Sequence, residues 1–155
     1  MKNGAKAIVL SSDKILLFHR DNIPTIPYPD CWQIVGGGIE ENETPEEAAK
    51  RELLEEASFV PSNCSYLGKT VGSRGEDVYG FVFFIEKNEE KRFAIGPGEG
   101  QEVGFFRLDE ALELELTQKT RLFLEKTGDL VEWMMKKRIV PAKEAVKKAL
   151  EVMNG

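Results

Sequence analysis

Gly36–Phe59 reads GGGIEENETPEEAAKRELLEEASF. Three glycines and a polar loop, Ile39–Glu43, lead into Thr44-Pro45-Glu46-Glu47. Thr44 can cap a helix, Pro45 suits its first position, and Glu47 can reach back to complete a capping box. The predicted helix runs to Ala57 or Ser58, buries Ala48, Ala49 and Leu53, with Leu54 as a further candidate, and ends before Pro61. Glu52, Glu55 and Glu56 then fall at i, i+3, i+4 spacing, on one face, a turn apart. Like charges at that spacing repel by roughly 0.2–0.5 kcal/mol per exposed pair. A hard divalent cation is the commonest reason to keep them together, and a solvated acidic face is the bland alternative.

Working outward, Ala5–Leu10, the turn Ser11-Ser12-Asp13 and Lys14–Arg20 read as a β-hairpin. Asp21–Asp30, with Pro24, Pro27 and Pro29, is a loop. Cys31–Val35 reads as a short strand running into a glycine turn. Tyr66–Val71, Asp77–Lys87 and Val103–Leu108 read as further strands, with a turn at Gly72–Glu76, a charged tip at Asn88–Arg92 and a glycine-rich loop at Ala94–Gln101. Asp109–Leu114 reads as a short helix capped by Asp109. Thr117–Lys137 reads as a long helix that Gly128 weakens, and Pro141–Met153 as a final amphipathic one. Strands outnumber helices, and one helix is inserted mid-sheet. The expected class is α+β, a mixed β-sheet between helices, in one domain over residues 1–155 with a helical part from 117 onward.

The chain has 155 residues, 41% hydrophobic and 31% charged, which suits a globular domain with a sizeable core. A net charge of −6 argues against binding a nucleic acid polymer. It leaves small anionic substrates open, because a bound cation inverts the local field. Cys31 and Cys64 form no Cys-x-x-Cys pair, and His19, the single histidine, cannot complete a zinc site with them. Two lone cysteines, no signal-peptide pattern and no long apolar run lead to an expectation of a cytoplasmic protein without a membrane span.

The spacings decide the chemistry. Gly37 is followed by five residues and Glu43, then by seven residues and Arg51-Glu52-Leu53, one residue, and Glu55-Glu56. This closely resembles the Nudix box of the MutT-like Nudix hydrolase family, Gly-x5-Glu-x7-Arg-Glu-apolar-x-Glu-Glu-x-Gly-apolar. The match runs from Gly37 to Phe59 and departs at one specified position, where Ser58 replaces the late glycine. Val35 and Asn42 replace a flanking Pro and Gly that the family often carries, and Asn tolerates the left-handed conformation.

The resemblance implies an α/β/α sandwich and a Mg²⁺- or Mn²⁺-dependent hydrolysis in which water cleaves a diphosphate linkage. Carried over by position, it implies Glu52, Glu55, Glu56 and the Gly36 carbonyl as metal ligands, with Glu55 also a candidate base. Arg51 would orient the carboxylates. Glu43 would steady the loop–helix junction through Arg51, beside the structural Gly37. The family often adds a glutamate from a later loop; in GPGEGQE, Glu102 is the first choice and Glu99 the second.

Trp32, Tyr28 and Phe81 could stack on a base or belong to the core. Arg20 and Arg74 could bind phosphate or sit at the surface. His19 reads first as structural. The stripe Trp133, Met134 and Val146 packs within the monomer or forms a homodimer interface. The expected partner is a nucleoside triphosphate or related small nucleotide. Nucleotide sugars, dinucleoside polyphosphates and other diphosphates remain open, as does a non-catalytic nucleotide sensor.

Overall fold

The computed structural model describes residues 1–154. Seven strands form one mixed sheet: β1 (Gly4–Ser11), β2 (Lys14–His19), β3 (Trp32–Gln33), β4 (Val35–Gly38), β5 (Ser65–Val71), β6 (Asp77–Ile85) and β7 (Glu102–Phe106). The order is β3-β2-β1-β6-β5, with β4 beside β1 and β7 beside β2. β1 and β6 run parallel, and the other pairings are antiparallel.

Alternation along β1 sends successive side chains to opposite faces. Ala5, Ala7 and Val9 join Phe81 and Phe83 under helix α1 (Pro45–Ala57), which presents Ala48, Ala49, Leu53 and Ala57. The alanines on both sides let the helix lie close to the sheet. Ile8 and Leu10 face the other way, against α3 (Gln118–Lys137) and α4 (Lys143–Glu151), which supply Leu124, Val131, Met134, Val146 and Leu150. The α/β/α layering and the C-terminal helix match the sequence reading.

Helix α1 starts as expected. Glu47 N donates to Thr44 Oγ1 (3.1 Å) and Thr44 N donates to Glu47 Oε1 (2.9 Å). Asn42 and Ser58 both adopt the left-handed conformation, with φ of 67° and 66°. Holding a non-glycine residue there costs roughly 1–2 kcal/mol, and glycine adds back part of that through its freer unfolded chain. Ser58→Gly should therefore raise stability by about 0.5–1 kcal/mol in urea melts; an unchanged midpoint would show that Ser58 is already relaxed.

Three elements differ from the sequence reading, and a fourth, α3, breaks beside the point where weakness was expected. Cys31–Val35 is not one strand: Trp32–Gln33 pairs with β2, whereas Val35–Gly38 pairs with β1. The three glycines thus lie in a strand rather than a turn. The tip after β6 is a 3₁₀ turn, Lys87–Arg92. The short helix α2 (Leu108–Ala111) is capped at Arg107, and Asp109 lies inside it, bound by the Arg107 guanidinium at 3.1 and 3.2 Å. Helix α3 kinks at Thr127, beside the expected weak point Gly128. Among the described residues no helix is long and apolar enough to cross a membrane.

Candidate active site

The carboxylates gather where α1 crosses β4. Gly37 faces Glu52 so closely that a Cβ there would lie 2.5 Å from Oε1 and would push the carboxylate aside. One strand position earlier, Gly36 N donates to Glu56 Oε1 (3.0 Å). Arg51 binds the outer side of the group. Its Nε and Nη2 donate to the two oxygens of Glu43 (2.7 and 3.1 Å), and Nη2 also donates to Gly38 O (2.9 Å). Nη1 donates to Glu52 (2.9 Å) and Glu55 (3.3 Å). Glu43 also accepts from Glu40 N (3.0 Å), which fixes the loop before the helix. Hydrogen bonds from Arg51 hold the Glu43 carboxyl below its ordinary range.

The inner side is poorer in cations. Glu56 is 6% exposed. Burial first, then the charge of Glu52, pushes its carboxyl up to about 8 against the pull of the Gly36 amide and Lys6. Lys6, in β1, is enclosed beside them; burial lowers its ammonium, and Glu56 and Glu52 pull it back up.

The glycine-rich loop docks on the end of α1. Ala94 N donates to Ala57 O (3.1 Å) and Gly96 N to Glu56 O (3.2 Å). A Cβ at Gly96 would overlap Glu55 O, which explains the glycine. This docking carries Glu99 into the field of the cluster. Its carboxyl is raised by burial, then by Glu55, Glu52 and Asp21. Glu102, the first choice from sequence, lies elsewhere: it pairs across strands with His19, whose Nδ1 is 3.1 Å from Oε2. His19 also contacts Asp30 Oδ1 through Nε2 (2.9 Å) and stacks on Trp32 at 4.4 Å.

The aromatic candidates separate. Phe81 is buried under α1, so it offers no face to a base. Trp32 is buried between His19 and Phe106. Tyr28 is exposed, its hydroxyl 3.3 Å from Gln118 Oε1. The Arg20 guanidinium ties the proline loop, donating to Pro27 O, Tyr28 O and Gln33 Oε1. Arg74 is exposed in the turn before β6. Met134 and Val146 pack inside the monomer, whereas Trp133 is 39% exposed. Lys6 was missed in the sequence reading. Its signal was a charge in register with the core positions Ile8 and Leu10.

Among the described residues, no three His, Cys, Asp or Glu side chains are drawn together at metal-ligand spacing. The hydrogen bonds account for this, since Arg51 holds Glu52 and Glu55 while the Gly36 amide holds Glu56. The donors nevertheless suit a hard divalent ion. They are all oxygens, and the Glu56 and Glu99 carboxyls are raised by burial first and by neighbouring carboxylates second, so a bound cation would favour their ionised forms.

The sequence model of the NUDIX domain matches residues 1–127. The chain belongs to the Nudix family. An RNA pyrophosphohydrolase from Hydrogenovibrio crunogenus is 51% identical over 43 residues, 28% of this chain and 26% of that protein. An ADP-ribose pyrophosphatase from Methanocaldococcus jannaschii is 38% identical over 78 residues, 50% of this chain and 44% of that protein. The matches thus span about a quarter and under half of those curated relatives. The fold of this Nudix chain is shared with a mutT/nudix family protein from Listeria innocua, with TM-score 0.68, 24% identity, and coverage of 88% and 97%.

Proposed function

We propose that the protein is a Mg²⁺-dependent pyrophosphohydrolase that cleaves a diphosphate linkage in a nucleoside triphosphate or related small nucleotide. The observation that carries this reading is Glu52 packed on Gly37 and Glu56 bonded to the Gly36 amide of β4, with Arg51 gripping Glu52 and Glu55 and with Glu99 in the field of the same carboxylates. Glu52, Glu55, Glu56 and the Gly36 carbonyl would hold the ion. When bound, Mg²⁺ neutralises the diphosphate and favours attack by water. Arg51 keeps Glu52 and Glu55 on the substrate side of the helix. We assign Glu99 the proton of the attacking water, because its raised carboxyl sits in the cluster's field. Glu102 is the positioning residue that ties the loop's end to His19.

The full carboxylate set favours this over a binding-only sensor. A nucleotide panel assayed with Mg²⁺, with Mn²⁺ and with chelator tests it: pyrophosphate or phosphate should appear only with metal. Tight binding without turnover on any member would replace the hydrolase with the sensor. Glu99→Gln should lower kcat by roughly 10²–10⁴-fold with little change in Mg²⁺ affinity, and Glu102→Gln by under about tenfold. A reversed order returns the base to Glu102.

A further inference from the structure

His19 ends β2, and three other segments meet at its ring. Trp32 of β3 stacks on it, with ring centroids 4.4 Å apart and planes 5° from parallel. Nδ1 is 3.1 Å from Glu102 Oε2 at the start of β7. Nε2 is 2.9 Å from Asp30 Oδ1 and 3.1 Å from Asp30 O, at the end of the proline loop. All three oxygens are acceptors. A neutral imidazole carries one N–H, so it satisfies one side and turns a lone pair on the other. The imidazolium donates on both sides, and an aromatic face attracts a cation laid over it. Arg20, the next residue, turns its own charge away: its guanidinium donates to Pro27 O, Tyr28 O and Gln33 Oε1.

The proline loop closes on itself at its neck, where Asp30 N donates to Asp21 O (2.9 Å) and Arg20 N to Cys31 O (2.8 Å). Tyr28 and Asp30 are left-handed, with φ of 50° and 63°, a conformation that non-glycine residues keep only where their surroundings enforce it. Asp21, at the loop's other end, is one of the charges acting on Glu99. The glycine-rich loop carries Glu99 between two anchors. Gly96 N donates to Glu56 O on α1 (3.2 Å), and Gln101 N donates to His19 O (2.8 Å). A Cβ at Gly100 would overlap the same His19 carbonyl, so this loop lies against the end of β2. The Gln101 side chain then reaches across to the proline loop: its amide nitrogen donates to Arg20 O and to Asp30 Oδ1, both at 2.8 Å. Gln101 first, and His19 after it, hold the Asp30 carboxyl below its ordinary range.

We propose that His19 is a positioning residue of the hydrolysis: as an imidazolium it clasps Asp30 and Glu102, and so holds the proline loop and the loop of Glu99 together. The proposal rests on the pyrophosphohydrolase reading, with Glu99 as its base. The clasp carries its own release. Gln101 Nε2 is 3.3 Å from His19 Nε2. When the ring gives its Nε2 proton to water, that nitrogen becomes an acceptor, and one Gln101 N–H moves to it from Asp30. Nδ1–H stays on Glu102, since the partner of one ring nitrogen sets where the proton sits. Asp30 Oδ1 loses both donors together, and the proline loop is let go while β7 keeps its tie. Raising the pH therefore opens the clasp, and acid closes it.

His19 is the chain's single histidine, so NMR of the full chain at saturating Mg²⁺ can follow its ring nitrogens across pH. The neutral ring should carry its proton on Nδ1, the reverse of a free side chain in water. Asp30→Asn removes the charge at Nε2 and tolerates the left-handed backbone, so its ring should titrate at lower pH than in wild type. Turnover is read in parallel on a nucleotide that the wild type hydrolyses. Wild-type kcat should fall on the alkaline side in step with the ring signal, and Asp30→Asn should move that fall to lower pH by the same amount. His19→Gln should lack this fall, with kcat at least tenfold below wild type at the acid end and KM within threefold. If His19→Gln does not fold, Asp30→Asn decides alone. A histidine that served only the fold would leave the kcat profile unlinked to the ring's titration. A neutral ring protonated on Nε2, or a kcat profile that stays in place while Asp30→Asn moves the ring signal, overturns the proposal. A wild-type protein that hydrolyses no nucleotide sinks the hydrolase reading instead, and the clasp itself then stands or falls by the ring's tautomer.

Discussion

Glu56→Gln should cut turnover by at least about 10²–10³-fold while the fold survives. The carboxyl of Glu56 is buried and bonded to one strand amide, so Gln keeps its shape and its acceptor but cannot ionise when a cation binds. A merely solvated acidic face would not notice the change. The same substitution should alter the stability profile in a defined sense. Burial raises the Glu56 carboxyl from 4.5 to about 8 in the folded, metal-free protein. The folded state therefore binds that proton more tightly than the unfolded state. Its stabilising share is complete below about 4.5, declines as the pH rises, and is gone above about 8. Metal-free wild type should lose stability across that window, by an amount of order a few kcal/mol, and Glu56→Gln should be flatter there. Mg²⁺ should reverse the loss, with a larger gain in Tm at pH 9 than at pH 6, and with a proton released on binding at pH 7. Equal Tm gains at both pH values, or normal turnover in the variant, would remove Glu56 from the metal set.

The contrast between what the sequence disclosed and what it hid follows from how local each feature is. Thr44, Pro45 and Glu47 announce the helix start because a cap is decided within four residues, and the structure places both capping-box bonds there. The grip of Arg51 on Glu43 was similarly accessible, since the loop–helix junction fixes both ends. Glu102 and Glu99 were not separable in this way. Their difference depends on the β2–β7 register, which sets Glu102 opposite His19, and on the docking of Gly96 against α1. Both are long-range arrangements. Phe81 stayed open between base stacking and core for a related reason: β6 alternates Phe81 and Phe83 toward α1 against Val82 toward α3, and the sequence alone does not label the faces. The glycine run was read as a turn because glycine usually marks one. Here close approach matters more, with Glu52 packed on Gly37 and Lys6 beside Gly36.

Lys6 could have been found. In Ala5–Leu10 the period-two pattern puts Lys6, Ile8 and Leu10 on one face, and a lysine in a core register calls for a reason.

Arg51→Ala should damage both stability and activity, which distinguishes it from Glu56→Gln. Arg51 spends its donors on Glu43, Gly38 O, Glu52 and Glu55. Burial lowers the guanidinium's hold on its proton, yet the bonded carboxylates, Glu43 first, raise it further still, so it stays charged at any working pH. Removing it leaves Glu43 and Glu52, whose side chains are 14% and 15% exposed, without their cation. Breaking these pairs on one side should lower the Tm measurably, by less than a fully buried pair would, because solvent screens part of the loss. Lysine should rescue little, because one ammonium has three donors and cannot reproduce the planar fork that spans Glu43. In Arg51→Ala, Glu52 and Glu55 also lose the group that holds them in place, so kcat should fall by at least about 10²-fold. Mg²⁺ then becomes the main counter-charge available to the cluster. It should raise the Tm of Arg51→Ala by more than it raises that of wild type, provided Glu52 and Glu56 are its ligands. A smaller gain in the variant would mean that the ion binds elsewhere and that Arg51 serves the fold alone.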